Sequence, residues 1–194
     1  MAELVDAHDS KSCAARHESS ILSPGTMEAD EYLDLVDEND NVIGRKLRSE
    51  VHTEKLRNYR AINLFIVNDK GELWIPRRTA HKQLYPLGLD FSCAGHVKSG
   101  ETYDATLQQE VMEELNIDIK NHEVRHLGKL TPKEGSCFAE SYEIRLNEAP
   151  QYNPEDFTSA QWVSPEALIK RLEAGEYAKS SLIVAVKKFY GKGA

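Results

Sequence analysis

Between Gly95 and Ile117 the chain reads Gly-His-Val-Lys-Ser-Gly-Glu-Thr-Tyr-Asp-Ala-Thr-Leu-Gln-Gln-Glu-Val-Met-Glu-Glu-Leu-Asn-Ile. Leu107, Val111 and Leu115 recur every fourth residue, the spacing of a helix with one apolar stripe facing a core. Glu110, Glu113 and Glu114 stand at i, i+3 and i+4 and form a second stripe beside it. Like charges at this spacing repel by a few tenths of a kcal/mol per pair, roughly. Three carboxylates gathered beside a core-facing stripe, rather than spread around the helix, therefore point to a cation. One or two carboxylates plus substrate phosphates are the ligands Mg²⁺ prefers. Glu101 or Thr102 is expected to cap this helix, and Asn116 to stop it in a left-handed conformation.

The spacing Gly-x5-Glu-x7-Gln-Glu-Val-x-Glu-Glu-x-Asn-Ile resembles the Nudix box of the Nudix hydrolase superfamily, Gly-x5-Glu-x7-Arg-Glu-U-x-Glu-Glu-x-Gly-U, with U a bulky aliphatic residue. Gly95, Glu101, Glu110, Val111, Glu113, Glu114 and Ile117 match it. The resemblance implies an α/β fold, the Nudix α/β/α sandwich with a mixed sheet. It implies Mg²⁺, with Mn²⁺ a chemically allowed substitute, held by Glu110, Glu113 and Glu114, with the Gly95 backbone and Glu101 as further metal positions. The reaction implied is hydrolysis of a diphosphate linkage, with Glu110, Glu113 and Glu114 as the catalytic set. Two positions depart. Asn116 replaces a Gly and suits the same left-handed stop. Gln109 replaces an Arg whose charge holds a box glutamate in the family; Gln offers a neutral donor in its place.

With 194 residues, 40% of them hydrophobic, the chain is long enough for one domain with a sizeable core. Its formal net charge of −8 gives no electrostatic reason for nucleic-acid or membrane binding. No apolar run reaches the ~20 residues that span a bilayer. Cys13, Cys93 and Cys137 include no CxxC pair and read as free thiols of a reducing, cytoplasmic compartment. Small-molecule diphosphates are the expected partners. Relatives of this type often pair, which leaves monomer and homodimer both open.

Residues 1–26 lack any sustained apolar period, and so read as a disordered tail. Glu18-Ser-Ser-Ile-Leu-Ser23 can be encoded as GAG AGT TCG ATT CTC TCC, the stem and loop of a transfer-RNA T arm. Ala2 to Ala7 can likewise be encoded to resemble a D arm. The tail is therefore expected to be a spurious extension read from a transfer-RNA gene, with the working start at Met27.

Residues 27–58 are expected to form a hairpin and a connection, and residues 59–194 the Nudix domain. Tyr32–Val36 alternates like a strand, Asp37–Asn41 carries turn chemistry, and Val42–Gly44 returns. Arg45–Leu56 is a polar connection with a helical stretch around residues 49–52. Ala61–Val67 is the best candidate for a buried strand, Asn68–Gly71 a turn, and Glu72–Pro76 its partner, ending at the proline. Gly88 and Gly95 are expected as bends leading into the box. Val124–Leu130 and Phe138–Leu146 read as strands, and Gln161–Val163 as a short one. Ser164-Pro165 starts a helix through Arg171, and a last helix covers Ser180–Tyr190.

Arg77, Arg78 and Lys82 follow a strand and form a basic loop suited to a diphosphate, arginine especially because it binds phosphate oxygens in pairs. The stretch from Leu33 to His96 also resembles isopentenyl diphosphate isomerases, through Leu35-Val-Asp-Glu-Asn-Asp-Asn41, His52-Thr53, Arg77-Arg78 and Gly95-His96. Those enzymes place a cysteine immediately before Gly-His; here that position is Ala94, and Cys93 faces the opposite side of a strand. Tyr59 or Arg60 falls where another metal histidine would stand. Without a placed acid the double-bond shift lacks its proton donor. The relatives that keep the hairpin without the cysteine fit better. A third reading makes the chain a weakened Nudix domain that binds ligand without turnover. Recognition of the group beyond the diphosphate is expected from Thr79–Leu89 and Thr131–Ser136, with Trp74, Tyr85 and Phe91 able to stack on it or to fill the core.

Overall fold

The computed structural model describes residues 30–191; the expectation for residues 1–26 lies outside them. Strands β1 (Tyr32–Val36) and β2 (Val42–Leu47) form a separate antiparallel hairpin. The Asp37 carboxylate closes its turn by accepting from the backbone N–H groups of Asn39 and Asn41, both at 2.9 Å. Helix α1 (Arg48–Thr53) follows directly, so the polar connection divides into strand and helix. The main sheet contains β3 (Arg60–Val67), β4 (Leu73–Arg78), β5 (Cys93–His96), β6 (Arg125–Leu130), β7 (Phe138–Arg145) and β8 (Phe157–Val163). Its order is β6-β7-β3-β4-β8, with β5 also on β3, and only the β3–β7 pair is parallel.

One edge of β3 is shared, and this opening creates the site. β4 pairs with β3 at Val67↔Leu73 and then diverges, while β5 takes the edge along residues 61–64. At the fork the buried Ser92 hydroxyl donates to Trp74 O (2.7 Å) and accepts from Ile66 N (2.8 Å), replacing a rung of the ladder. Pro76 does not end β4, which runs on to Arg78. Pro76 O accepts from Asp90 N and Arg78 N donates to Gly88 O. The bare proline nitrogen therefore faces the loop before β5 and not β8, and pairing with β8 continues past it, with a register shift between Arg77 and Arg78. For the same reason β8 spans seven residues from Phe157 and not the short stretch expected.

The sheet has two buried faces. Ile62, Leu64 and Ile66 of β3 face helix α2 (Tyr103–Leu115) and pack with its Leu107, Val111 and Leu115. Phe65, Val67 and Phe91 face helices α3 (Pro165–Glu173) and α4 (Ser180–Tyr190) and pack with Leu168, Leu182 and Val186. Strand side chains alternate faces, so odd and even residues of β3 divide between the two cores. This is the α/β/α sandwich with a mixed sheet and an N-terminal β-hairpin. Trp74 and Phe91 are core residues, and Tyr85 turns its hydroxyl to Ser180 at 2.8 Å.

Candidate active site

Helix α2 begins where the Thr102 side chain accepts from Ala105 N (3.2 Å) and ends at Asn116 with φ +54°, the left-handed stop. Its axis sets the three glutamates at different depths. Glu113 is exposed, whereas Glu114 is 9% exposed and lies against β5, where Ala94 N donates to its Oε2 at 3.3 Å. The stripe is thus not one exposed face: its inner edge is wedged between helix and sheet.

Gly95 lies within β5, paired with Ile62, and is no bend. It is required for another reason. A Cβ there would point at α2, 2.5 Å from Glu110 Cγ and closer still to its carboxyl group. Only glycine lets the Glu110 carboxylate lie on the strand backbone. Burial, and then repulsion from Glu113, raises the Glu110 pKa to about 7. Burial, and then repulsion from Glu110, raises that of Glu114 to about 8. Neither carboxylate is ion-paired to a described residue. Lys98 and Arg48 supply the positive field that Glu110 feels.

Gln109 donates from Nε2 to Glu113 Oε1 at 2.8 Å. Glu101 accepts from the Thr106 hydroxyl at 2.9 Å and so ties the box loop to the first turn of α2. Carboxylate oxygens are hard donors that suit a divalent cation. Among the described residues no three acidic, His or Cys side chains converge as a complete metal cage. A cation there would draw its remaining ligands from water and substrate phosphate, as Mg²⁺ does.

Each of the three basic-loop residues already has a carboxylate partner. Arg77 bonds Glu176 (3.0 Å) and Leu87 O (2.7 Å). Arg78 bonds Asp90 Oδ2 (2.5 Å) and Leu84 O (2.9 Å), and Lys82 bonds Asp156. Asp90 and Asp156 are both close enough to raise the Glu114 pKa. Arg78 and Lys82 therefore border the site through these acids, while Arg77 is tied to the turn before α4. Arg48 and Lys98 gave no signal in the sequence beyond their charge; Lys98 alone could have been noticed, lying inside the box.

On the opposite face of β5, Ala61, Ala94 and Ala139 floor a cavity of about 40 Å³ that reaches Gly95 and His96. Asn63 Nδ2 lines it without a hydrogen-bond partner, and Ser141 Oγ on the adjacent strand also lacks one. Its volume suits a water or two. His52, Tyr59 and His96 cluster nearby, the two histidine rings 5.2 Å apart. His96 keeps part of its surface open, yet burial, and then the Arg48 charge, holds its pKa well below the ordinary histidine range. Cys93 lies on the α2 side and is fully buried, its thiol pushed up by burial and by Glu114.

The NUDIX domain model matches residues 57–183. An uncharacterised Nudix hydrolase of Nostoc sp. is 51% identical over 162 residues, covering 82% of this chain and 96% of that protein. The crystal structure of a Deinococcus radiodurans protein superposes with a TM-score of 0.77 at 41% identity, covering 82% of this chain and 99% of that one. An isopentenyl-diphosphate Delta-isomerase of Serratia proteamaculans is 31% identical over 144 residues, 72% of this chain and 79% of that protein. With the box helix, the bare strand beneath it and relatives matched over nearly their whole length, the chain belongs to the Nudix hydrolases, enzymes of pyrophosphate bonds.

Proposed function

We propose that this chain hydrolyses the diphosphate linkage of a nucleoside diphosphate-linked or related organic diphosphate, using Mg²⁺, with Mn²⁺ able to replace it. The observation that carries this reading is the Glu110–Glu114 pair. Glu110 lies half-buried against Gly95 and Glu114 is buried beside Ala94; Glu113 disfavours ionisation of Glu110, Glu110 disfavours that of Glu114, and no described cation is bonded to either. Such a pair is unfavourable in the free chain and becomes favourable when a divalent ion neutralises it. Glu110 and Glu114, with the Gly95 backbone, would hold the ion from the sheet side, with Glu101 and Glu113 at the open side. When bound, the ion would neutralise charge on the phosphate oxygens and lower the pKa of a bound water. Glu113, exposed and bonded to Gln109, would take a proton from an attacking water. Arg78 and Lys82 would steady the far phosphate by exchanging Asp90 and Asp156 for phosphate oxygens; Arg77, tied to Glu176, would do so least.

The 40 Å³ cavity is too small for a nucleoside, so the loops at 79–89 and 131–136 would recognise the group beyond the diphosphate. The isomerase reading is disfavoured by Ala94, whose methyl cannot donate a proton. The test is a screen of nucleoside diphosphate sugars, dinucleoside polyphosphates and isoprenyl diphosphates with Mg²⁺, following phosphate-ester products and double-bond migration together. Release of a monophosphate from at least one class, abolished by chelation, is expected. Ligand binding without turnover across all classes would overturn the hydrolase reading for this chain, and migration without cleavage would replace it with isomerisation.

A further inference from the structure

The hairpin β1–β2 stands outside the main sheet, and nothing in the chemistry above requires it. It nevertheless grips the box loop. After β5 the chain runs along β1: Lys98 bridges Leu33, and Ser99 N donates to Tyr32 O at 2.7 Å. Residues 98–101 then form a turn closed by Glu101 N donating to Lys98 O, with Gly100 at φ +84°. The carboxylate of Asp34, itself buried, clamps this turn. Its Oδ1 accepts from the Ser99 hydroxyl at 2.6 Å and its Oδ2 accepts from Gly100 N at 3.0 Å. The clamped turn carries Lys98, whose charge favours ionisation of Glu110, and leads into Glu101. At the far end of the hairpin, Asp40 holds Tyr103, the first residue of α2, at 3.0 Å, together with Arg60 and Lys129.

We infer that Asp34 is a positioning residue of the metal site, fixing the box turn so that Gly95, Glu101 and Glu110 keep one spacing before the cation arrives. This rests on the metal-site reading proposed above. Asp34 touches no reacting group; it acts through the turn, as residues that orient metal ligands do. The geometry also predicts which substitution rescues. In Asp34→Asn, the amide oxygen can accept from Gly100 N while the amide nitrogen donates to the Ser99 hydroxyl, so both contacts survive. Asp34→Ala loses both.

The experiment measures Mn²⁺ uptake by the metal-free full chain, from the electron spin resonance signal of free Mn²⁺, alongside the Mg²⁺ dependence of hydrolysis and the melting temperature. Loss of an orienting partner weakens metal binding by roughly tenfold to a hundredfold. Asp34→Ala should fall in that range, Asp34→Asn should stay within about twofold of the parent, a difference below that scale, and Val186→Ala should melt lower with parental Mn²⁺ affinity. Val186 is a core residue on the α4 side and serves as the control for destabilisation alone. Ser99→Ala removes one of the two contacts from the opposite partner and should weaken uptake less than Asp34→Ala, which keeps the test open if that chain does not fold. Parental affinity in Asp34→Ala or Ser99→Ala overturns the inference. So does weakening in Val186→Ala that matches its loss of melting temperature. A parent chain that takes up no Mn²⁺ overturns the metal-site reading itself.

Discussion

Replacing Gly95 by alanine separates the stability of this fold from its chemistry. The three atoms nearest the added methyl all belong to Glu110, with its Cγ at 2.5 Å and the carboxyl group nearer, and none is backbone. The residue to yield is thus the far end of a flexible side chain, and Glu110 must swing off the strand. The φ of Gly95 is not positive, so alanine brings no backbone strain, and in a strand it gains about 0.5–1 kcal/mol over glycine by restricting the unfolded chain. A forced rotamer change at Glu110 opposes this by about 0.5–1.5 kcal/mol. Release of Glu110 from burial adds a gain above neutrality. Its pKa stands at about 7 against an ordinary 4.5, and at ~1.4 kcal/mol per pH unit this sets a ceiling of about 3 kcal/mol for the fully ionised group. The metal-free variant should therefore unfold at the same or slightly higher urea concentration at pH 8. Hydrolysis at moderate Mg²⁺ should fall by at least ~10²-fold, equivalent to about 2.7 kcal/mol of transition-state stabilisation. Urea melts and initial rates on one preparation measure both quantities. A variant destabilised by more than ~2 kcal/mol, or one that keeps its rate, would refute the argument that Gly95 exists to seat Glu110.

Three further outcomes follow from the depths of the glutamates. Glu114→Gln should raise the stability of the metal-free chain above pH 8 and lower turnover by ~10²-fold or more, while Glu113→Gln should lower turnover with stability within about 0.5 kcal/mol of the parent; parental turnover in either variant would remove that residue from the catalytic set. The pH dependence has a definite sign: in the folded metal-free chain Glu110 and Glu114 hold their protons up to about 7 and about 8, against 4.5 for an ordinary glutamate. Their contribution to stability is fully present below ~4.5 and is lost as pH rises through 7 and 8, so melting temperature should fall between about pH 5 and pH 8, level off above that, and fall less at saturating Mg²⁺; a level metal-free profile would contradict it. Gln109→Arg should form a charged bond to Glu113 in place of the present neutral donor, worth roughly 1.5–3 kcal/mol where shielded, and lower the Mg²⁺ needed for half-maximal rate; an unchanged requirement would show that the glutamine bond already suffices.

What could be read in advance follows the range of the forces involved. The box helix was legible because its signals are local: a threonine cap, apolar residues every fourth position and an asparagine stop all act within one turn of their neighbours. The near-continuous apolar run of Ala61–Val67 likewise marked a buried strand. The different depths of Glu110, Glu113 and Glu114 were not legible, because a helical wheel fixes their angle to the apolar stripe but not which side of that stripe meets β5. That choice depends on β4 leaving β3 after Val67↔Leu73 and admitting β5 beside it, a decision made between residues far apart in sequence. Pro76 misled for a related reason. Its missing N–H ends a strand only if a partner strand lies on that side, and here a loop does. Asp34 and Asp40 looked like ordinary hairpin acids, since their partners are 20 to 89 residues away. The basic loop was legible as charge and not as availability, because whether an arginine meets a phosphate depends on the carboxylates that reach it first. Arg78 and Lys82 meet Asp90 and Asp156, so any phosphate they bind must compete with an ion pair already formed. That competition makes substrate affinity at this edge a difference between two charge-assisted contacts rather than the gain of one.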